Sequence, residues 1–409
     1  MPIARSCIGS IVAPLTRAGG VLDATYELGG REQTTDRLIK KETCYLRPSG
    51  SFFPAATIAP GLDQVKDRLS ALLDVDGAMA GPAAYLKQTT GKLLRPALTL
   101  ACAALAGGVS EEAINTAVAV ELIHTASLVH DDVVDQADLR RGLPSVRFVF
   151  GNRAAVLLGD YLFTTAFEML NRSLKRSIVR LLSRTIRTMS SSELMQLGRL
   201  YALHASEDEY MRYIDCKTAS LMSACCEAGS IAGGAGHRKI KLLASFGWNL
   251  GMAYQVADDI TDIAGAAEEN GKPSGVDLRA GVVTIPLIRL LTDAGWAERV
   301  NRLWNGEGST DRDAAEILEG MRTTGCLAYA AKVARRHCRA ALECLQDLDP
   351  APEADMLRSI VTLIDGRCGP CPAQLQRPEP AQDPAQGEEP CPVDTRLAQQ
   401  PDGDSVQTA

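Results

Sequence analysis

The chain has 409 residues, 46% hydrophobic and 23% charged, which is enough apolar material for a sizeable core and too much for a disordered protein. Its formal charge of −7 carries no basic run, which disfavours a nucleic-acid role. The longest weakly polar stretch, Leu98 to Val109, is far short of the ~20 residues of a membrane-spanning helix.

Residues 1–60 mix Gly, Pro, Thr and Arg without sustained periodicity. Arg5 and Arg17 precede the first acid, Asp23, a pattern that weakly resembles an organelle transit peptide; a merely disordered amino terminus is the equal alternative. From Gly61 to about Asp365, apolar residues recur at i, i+3, i+4 and i+7 between short breaks of Gly, Pro or Ser, which predicts helix after helix. Ser110-Glu111-Glu112 opens a run to Asp132, and Ser206-Glu207-Asp208-Glu209 fits a capping box before Tyr210. Gly142 and Pro144 mark one break, and Gly271-Lys272-Pro273 another. The economical reading is an all-α domain over 61–367, a bundle of ten or more helices. Residues 368–409 hold eight Pro and seven Gln and read as a disordered tail. The twelve cysteines are scattered, as expected of mostly reduced thiols inside a cell. Cys368-Gly369-Pro370-Cys371 has redox-pair spacing, but it opens a Pro-rich tail and so argues against redox function.

Two constellations carry chemistry. Asp131-Asp132-Val133-Val134-Asp135 ends one apolar helix, and Asp258-Asp259-Ile260-Thr261-Asp262 ends another. In each, the outer carboxylates at i and i+4 share a helical face. Two such faces of hard oxygen ligands suit Mg²⁺ bridging to a phosphate-bearing substrate. Cations stand near them: Arg140 and Arg141 directly after the first cluster, Lys92 and Arg95 one turn apart near a helix start, His124 on the face of Asp131, then Lys217-Thr218 and Lys272. The joint pattern implies a diphosphate held by metal and cations.

Asp131 to Asp135, Arg140-Arg141-Gly142, Lys217-Thr218 and Gln255 through Asp262 resemble the signature motifs of the trans-isoprenyl diphosphate synthases, over roughly Gly91 to Pro286. The resemblance implies helices around a central cavity, usually a homodimer, with a heteromer as the alternative. It also implies Mg²⁺-dependent head-to-tail condensation of isopentenyl diphosphate with an allylic diphosphate. By the same resemblance, Asp131, Asp135, Asp258 and Asp262 hold the metal, with Asp132 and Asp259 completing the catalytic clusters. Arg140, Lys217, Thr218, Gln255 and Lys272 hold the allylic diphosphate, while Lys92, Arg95, His124 and Arg141 hold isopentenyl diphosphate. Metal and cations then stabilise departing pyrophosphate, and the alkene attacks the allylic cation. Leu93 and Val282 stand where many members have a basic residue.

Ser127 and Ala126, four and five residues before Asp131, are small where short-chain members carry bulky aromatics. That implies an open tunnel and a product of octaprenyl to decaprenyl length, for a quinone such as ubiquinone; Ile123 and Leu122 remain as a deeper floor. Farnesyl or geranylgeranyl synthesis, and a non-catalytic subunit of a heteromeric synthase, are the alternatives. A di-iron bundle is suggested only by the single Glu121-x-x-His124 spacing, and a terpene cyclase would carry a different second metal motif. If the amino-terminal stretch is a transit peptide, a mitochondrial address comes first, then plastid, then cytoplasm. No transmembrane segment is expected, while peripheral membrane contact is compatible with so apolar a product.

Overall fold

The computed structural model describes residues 55–88, 91–171, 175–264, 274–307 and 310–369. Residues 1–54, most of the segment read as a candidate transit peptide, Lys272 and the tail from 370, with Cys371, lie outside the described residues. In chain order the helices are α1 (Ala59–Leu72), α2 (Ala80–Lys87), α3 (Leu94–Ala106), α4 (Glu111–Val134), α5 (Val146–Phe150), α6 (Asn152–Asn171), α7 (Arg176–Leu197) and α8 (Glu207–Ile214). A π-helical turn, Asp215–Ala219, runs straight into α9 (Ser220–Ala232). There follow α10 (His237–Ala264), α11 (Val276–Arg279), α12 (Ile285–Leu290), α13 (Ala294–Trp304), α14 (Thr310–Thr323), α15 (Cys326–Cys344) and α16 (Pro352–Arg367). Among the described residues the only strands are β1 (Leu139–Arg140) and β2 (Leu143–Pro144), a two-residue antiparallel ribbon, so the molecule is all-α.

The helix starts follow the caps. Ser110 accepts the Ala113 N–H at 3.2 Å with Glu111 and Glu112 in the first turn, and Ser206 and Glu209 form a reciprocal capping box. The first helix begins at Ala59, and Ala55 and Ile58 are fully buried ahead of it. Helices α4 and α10 are the two long central rods: α4 packs on α3, α6 and α9, and α10 on α9, α15 and α16. From Ala113 to Ile123 nearly every α4 side chain is buried, the signature of a helix enclosed on all sides. A second, smaller core joins Ile263 at the end of α10 to Leu278, Leu287, Val300, Ile317 and Met321 beyond it. The aspartate clusters stand where these two rods end, at the C-terminus of α4 and near that of α10. No described helix is long and apolar enough to cross a membrane.

Candidate active site

Asp131 closes the last turn of α4, half-buried, and Asp135 caps that helix from the exposed side, its N–H donating to the Asp131 carbonyl at 2.8 Å. Burial raises the Asp131 carboxyl to about 7; Lys217 opposes the shift, and Glu193 and Asp135 add to it. The middle carboxylate turns elsewhere. Asp132 is buried and accepts the Arg140 Nε–H at 2.8 Å, so it positions the hairpin and does not join the facing pair expected of a catalytic cluster. That hairpin turns through Arg141 and Gly142 at φ 53° and 79°, a left-handed pair that glycine accepts freely and arginine does not.

The second cluster is held more tightly. Asp258 pairs with Arg367 from the end of α16, whose guanidinium also lies over the Tyr254 ring at 5.4 Å. Asp259 is buried, accepting from the Tyr210 hydroxyl and from Gln255 Nε2 at 3.0 Å. It too is a structural anchor and not a facing ligand. Asp262 accepts the backbone N–H groups of Val276 and Asp277 at 3.3 Å each. Burial raises the Asp277 carboxyl to about 7, Asp262 adds to the shift, Lys217 opposes it, and Asp258 and Asp135 contribute further. Because Asp277 responds to Asp258 and Asp262 of one cluster, to Asp135 of the other and to Lys217, which itself responds to Asp131, the two walls face one space.

Lys217 occupies that space. It leaves the π turn, bonds Glu193 at 2.8 Å and lies 5.5 Å above the Tyr213 ring. Next to it, Thr218 Oγ1 donates to Gln255 Oε1 at 2.7 Å, and Gln255 passes the chain to Asp259. Lys217, Thr218 and Gln255 are therefore brought together as expected.

The other cations gather on a different face of α4. Arg95 Nη1 lies 2.8 Å from His124 Nε2, and the Arg95 Nε–H is buried without a partner. Burial, then Arg95, Arg141 and Arg140, push the His124 imidazole well below its ordinary range and keep it neutral. Arg141 presses on Gly91, where an added Cβ would stand 2.7 Å from its Nη1. Lys92 and Arg95 are not one turn apart on a helix: Leu93 is left-handed, at φ 52°, and buried, so α3 begins only at Leu94 and Lys92 stands exposed outside it. A narrow cavity of about 60 Å³ lies here between α1, α2, α4, α6 and the hairpin, with Glu121, His124, Arg140 and Arg141 at its polar edge. Arg95 fills the place beside His124 where a di-iron site would need metal. Ala126 is wholly buried, and Ser127 is half-buried with its hydroxyl donating to the His124 carbonyl at 2.8 Å. Neither lines this cavity, whereas Leu122 does. Val282 is half-buried beside Tyr210 and Tyr213, lining a smaller cleft. Cys368 is buried at the end of α16.

The donor set suits a divalent cation. Lys217, Arg367 and Arg140 are each matched by one acid, Glu193, Asp258 and Asp132. Asp131, Asp135, Asp262 and Asp277 add further hard oxygen donors, two of them with raised carboxyls. Among the described residues no three such side chains already converge as a metal-holding group. Glu193, Tyr210, Tyr254, Asp277 and Arg367 escaped sequence reasoning. They are single residues on α7, α8, α10, α11 and α16, with no local motif to mark them.

Residues 77–321 match the family model described as polyprenyl synthetase. The heptaprenyl diphosphate synthase component 2 of Geobacillus stearothermophilus is 36% identical over 293 residues, 71% of this chain and 90% of that protein. The geranylgeranyl diphosphate synthase of Saccharolobus solfataricus is 36% identical over 274 residues, 64% and 82% of the two chains. A decaprenyl diphosphate synthase from Rhodobacter capsulatus superposes with a TM-score of 0.73 at 32% identity, covering 77% of this chain and 98% of that one. A polyprenyl synthase from Caulobacter crescentus, solved with calcium and isoprenyl diphosphate, gives 0.72 at 33% identity over 75% and 95% of the two chains.

Proposed function

The chain belongs to the polyprenyl synthetase family and is a prenyltransferase of isoprenoid biosynthesis; on that premise we propose that it extends an allylic diphosphate with isopentenyl diphosphate, head to tail, into a long-chain all-trans-polyprenyl diphosphate. The observation that carries the reading is the pair of opposed carboxylate walls with Lys217 between them, beside a separate cationic cluster on α4. One site binds the allylic diphosphate and the other isopentenyl diphosphate.

Asp131 and Asp135 on one wall and Asp258 and Asp262 on the other would hold Mg²⁺, which would supply Lewis-acid neutralisation to a departing pyrophosphate. Lys217, Thr218 and Gln255 orient that diphosphate, and Arg140 and Lys272 add charge to it. Arg95, His124, Arg141 and Lys92 fix the second diphosphate, and neutral His124, whose Nε2 accepts from Arg95, has one N–H left to donate without adding charge. Apolar walls keep water from the allylic cation, so the alkene of the second substrate captures it, and loss of a proton closes each cycle.

Small Ser127, one turn below Asp131, supports a long product, as small Ala126 does by family resemblance alone, and the size of such a product suits a quinone side chain such as that of ubiquinone. Arg5 and Arg17, with no acid before Asp23, support a mitochondrial address. Exposed Phe148, Leu157 and Val149 on α5 and α6 support a homodimer joined through that face. The test is product analysis with labelled isopentenyl diphosphate, farnesyl diphosphate and Mg²⁺, read by chain length after dephosphorylation. Octaprenyl to decaprenyl products are expected. Geranylgeranyl as the end product would overturn the long-chain reading, and no product from the purified chain alone would favour a heteromer like that of the component 2 relative.

A further inference from the structure

The turn that carries Lys217 and Thr218 is π-helical, a register in which one extra residue is accommodated and whose backbone is not held by ordinary helical bonding alone. One face of α10 grips it at successive positions. Trp248 donates its indole Nε1–H to Asp215 Oδ1 at 2.7 Å, at the start of the turn. One turn on, Gly251 lies against its end, where a Cβ would stand 2.6 Å from Ala219 Cα, so only glycine permits the approach. A further turn on, Gln255 takes the Thr218 hydroxyl. Trp248, Gly251 and Gln255 stand at i, i+3 and i+7, so a single helical stripe holds the whole turn. The indole is itself backed from α15: the His337 ring meets it edge to face with centroids 5.4 Å apart, and His337 Nδ1 is 3.0 Å from Asn249 Oδ1. Asp215 and Trp248 touch none of the candidate metal or diphosphate groups, and both are half-buried behind them.

We infer that Trp248, acting through Asp215, is a positioning residue of the allylic diphosphate site. It fixes the π turn so that Lys217 faces Asp131, and so ties the diphosphate grip to the helix that bears the second aspartate cluster. The inference rests on the reading of Lys217 and Thr218 as allylic-diphosphate ligands. Asp215 accepts through one oxygen, so an asparagine there keeps the bond and an alanine does not.

Steady-state kinetics of the full chain test this, varying farnesyl diphosphate at saturating isopentenyl diphosphate and then the reverse. Trp248→Phe and Asp215→Ala are each expected to raise KM for farnesyl diphosphate about tenfold, as a sub-ångström misplacement does. kcat and KM for isopentenyl diphosphate stay within about twofold in both variants. Asp215→Asn behaves like the parent protein, and the double variant Trp248→Phe/Asp215→Ala is no worse than either single one. Unchanged farnesyl KM in Trp248→Phe, equal losses in all three parameters, or Asp215→Asn as impaired as Asp215→Ala would each overturn the inference. Lys217→Ala separates the two levels: if it raises farnesyl KM while Trp248→Phe does not, only the positioning role fails. If Lys217→Ala leaves that KM untouched, the site reading fails with it. Should Trp248→Phe not fold, the contrast between Asp215→Ala and Asp215→Asn decides alone.

Discussion

Asp131 to Asp135 and Asp258 to Asp262 are nearly the same five residues at the ends of two buried helices, yet the molecule holds them in opposite ways. The first cluster ends its helix: Asp131 makes no side-chain hydrogen bond among the described residues, Asp135 is exposed, and Asp132 is fastened to Arg140 eight residues on. The second is tied at every carboxylate, Asp258 to Arg367, Asp259 to Tyr210 and Gln255, and Asp262 to the backbone opening α11. One wall is thus held locally and the other by groups from across the chain, up to 109 residues away in the case of Arg367. A cation-binding face can be rigid because its ligands are anchored or open because they are not, and this molecule opposes one of each.

The sharpest way to break the comparison is to remove charge from each wall. Asp131→Asn and Asp258→Asn should both cost roughly 10³-fold in kcat, about 4 kcal/mol of transition-state stabilisation. Steady-state rates with saturating Mg²⁺ would refute the two-wall reading if either variant kept more than about a tenth of the activity.

Removing the two buried middle carboxylates probes anchoring. Asp259→Ala strands the Tyr210 hydroxyl and the Gln255 amide and should cost about 3 kcal/mol by urea unfolding; Asp132→Ala, whose partner Arg140 reaches solvent, should cost about 1 kcal/mol. Equal losses would mean that the two clusters are anchored alike.

A pH dependence also sits beside α10, on His337 of α15. Burial, and next to it Arg336, lower the His337 imidazole to about 4. Between pH 6.5 and 4 the unfolded chain therefore takes up a proton that the folded chain refuses. The His337 contribution to stability is full above about pH 6.5 and is lost as pH drops, by an amount approaching roughly 3 kcal/mol near pH 4. His337→Gln should flatten that part of the curve in unfolding measured from pH 7.5 to 4.5, and an unaltered slope would assign the effect elsewhere.

The smallest effect concerns Arg367, the resident counter-ion of Asp258. Arg367→Gln should lower the Mg²⁺ concentration that half-saturates thermal stabilisation in the presence of pyrophosphate by a few-fold, in keeping with the ~1 kcal/mol ceiling of a partly exposed pair. A higher Mg²⁺ requirement would make Arg367 a supporting residue and not a competing one.

Much of this was legible before the fold. Caps at Ser110 and Ser206 and the 3.6-residue periodicity pointed to the all-α architecture, and the i, i+4 spacing of Asp131/Asp135 and Asp258/Asp262 to two carboxylate faces, because helical geometry converts short spacings directly into shared faces. The roles of Asp132 and Asp259 were not legible. In one dimension they look like their neighbours, and only the packing of the hairpin and of α8 decides that they turn inward. Lys92 misled for a related reason: the left-handed Leu93 cuts it off from α3, a local conformation that leucine rarely signals. Sequence alone determined which helices form and which chemistry they bear, since both depend on contacts within a turn or two. Tertiary structure alone decided which carboxylates face the substrate space, how Asp277 and Arg367 join them and why the Lys217 turn holds still. Those outcomes rest on burial and charge brought together from distant parts of the chain.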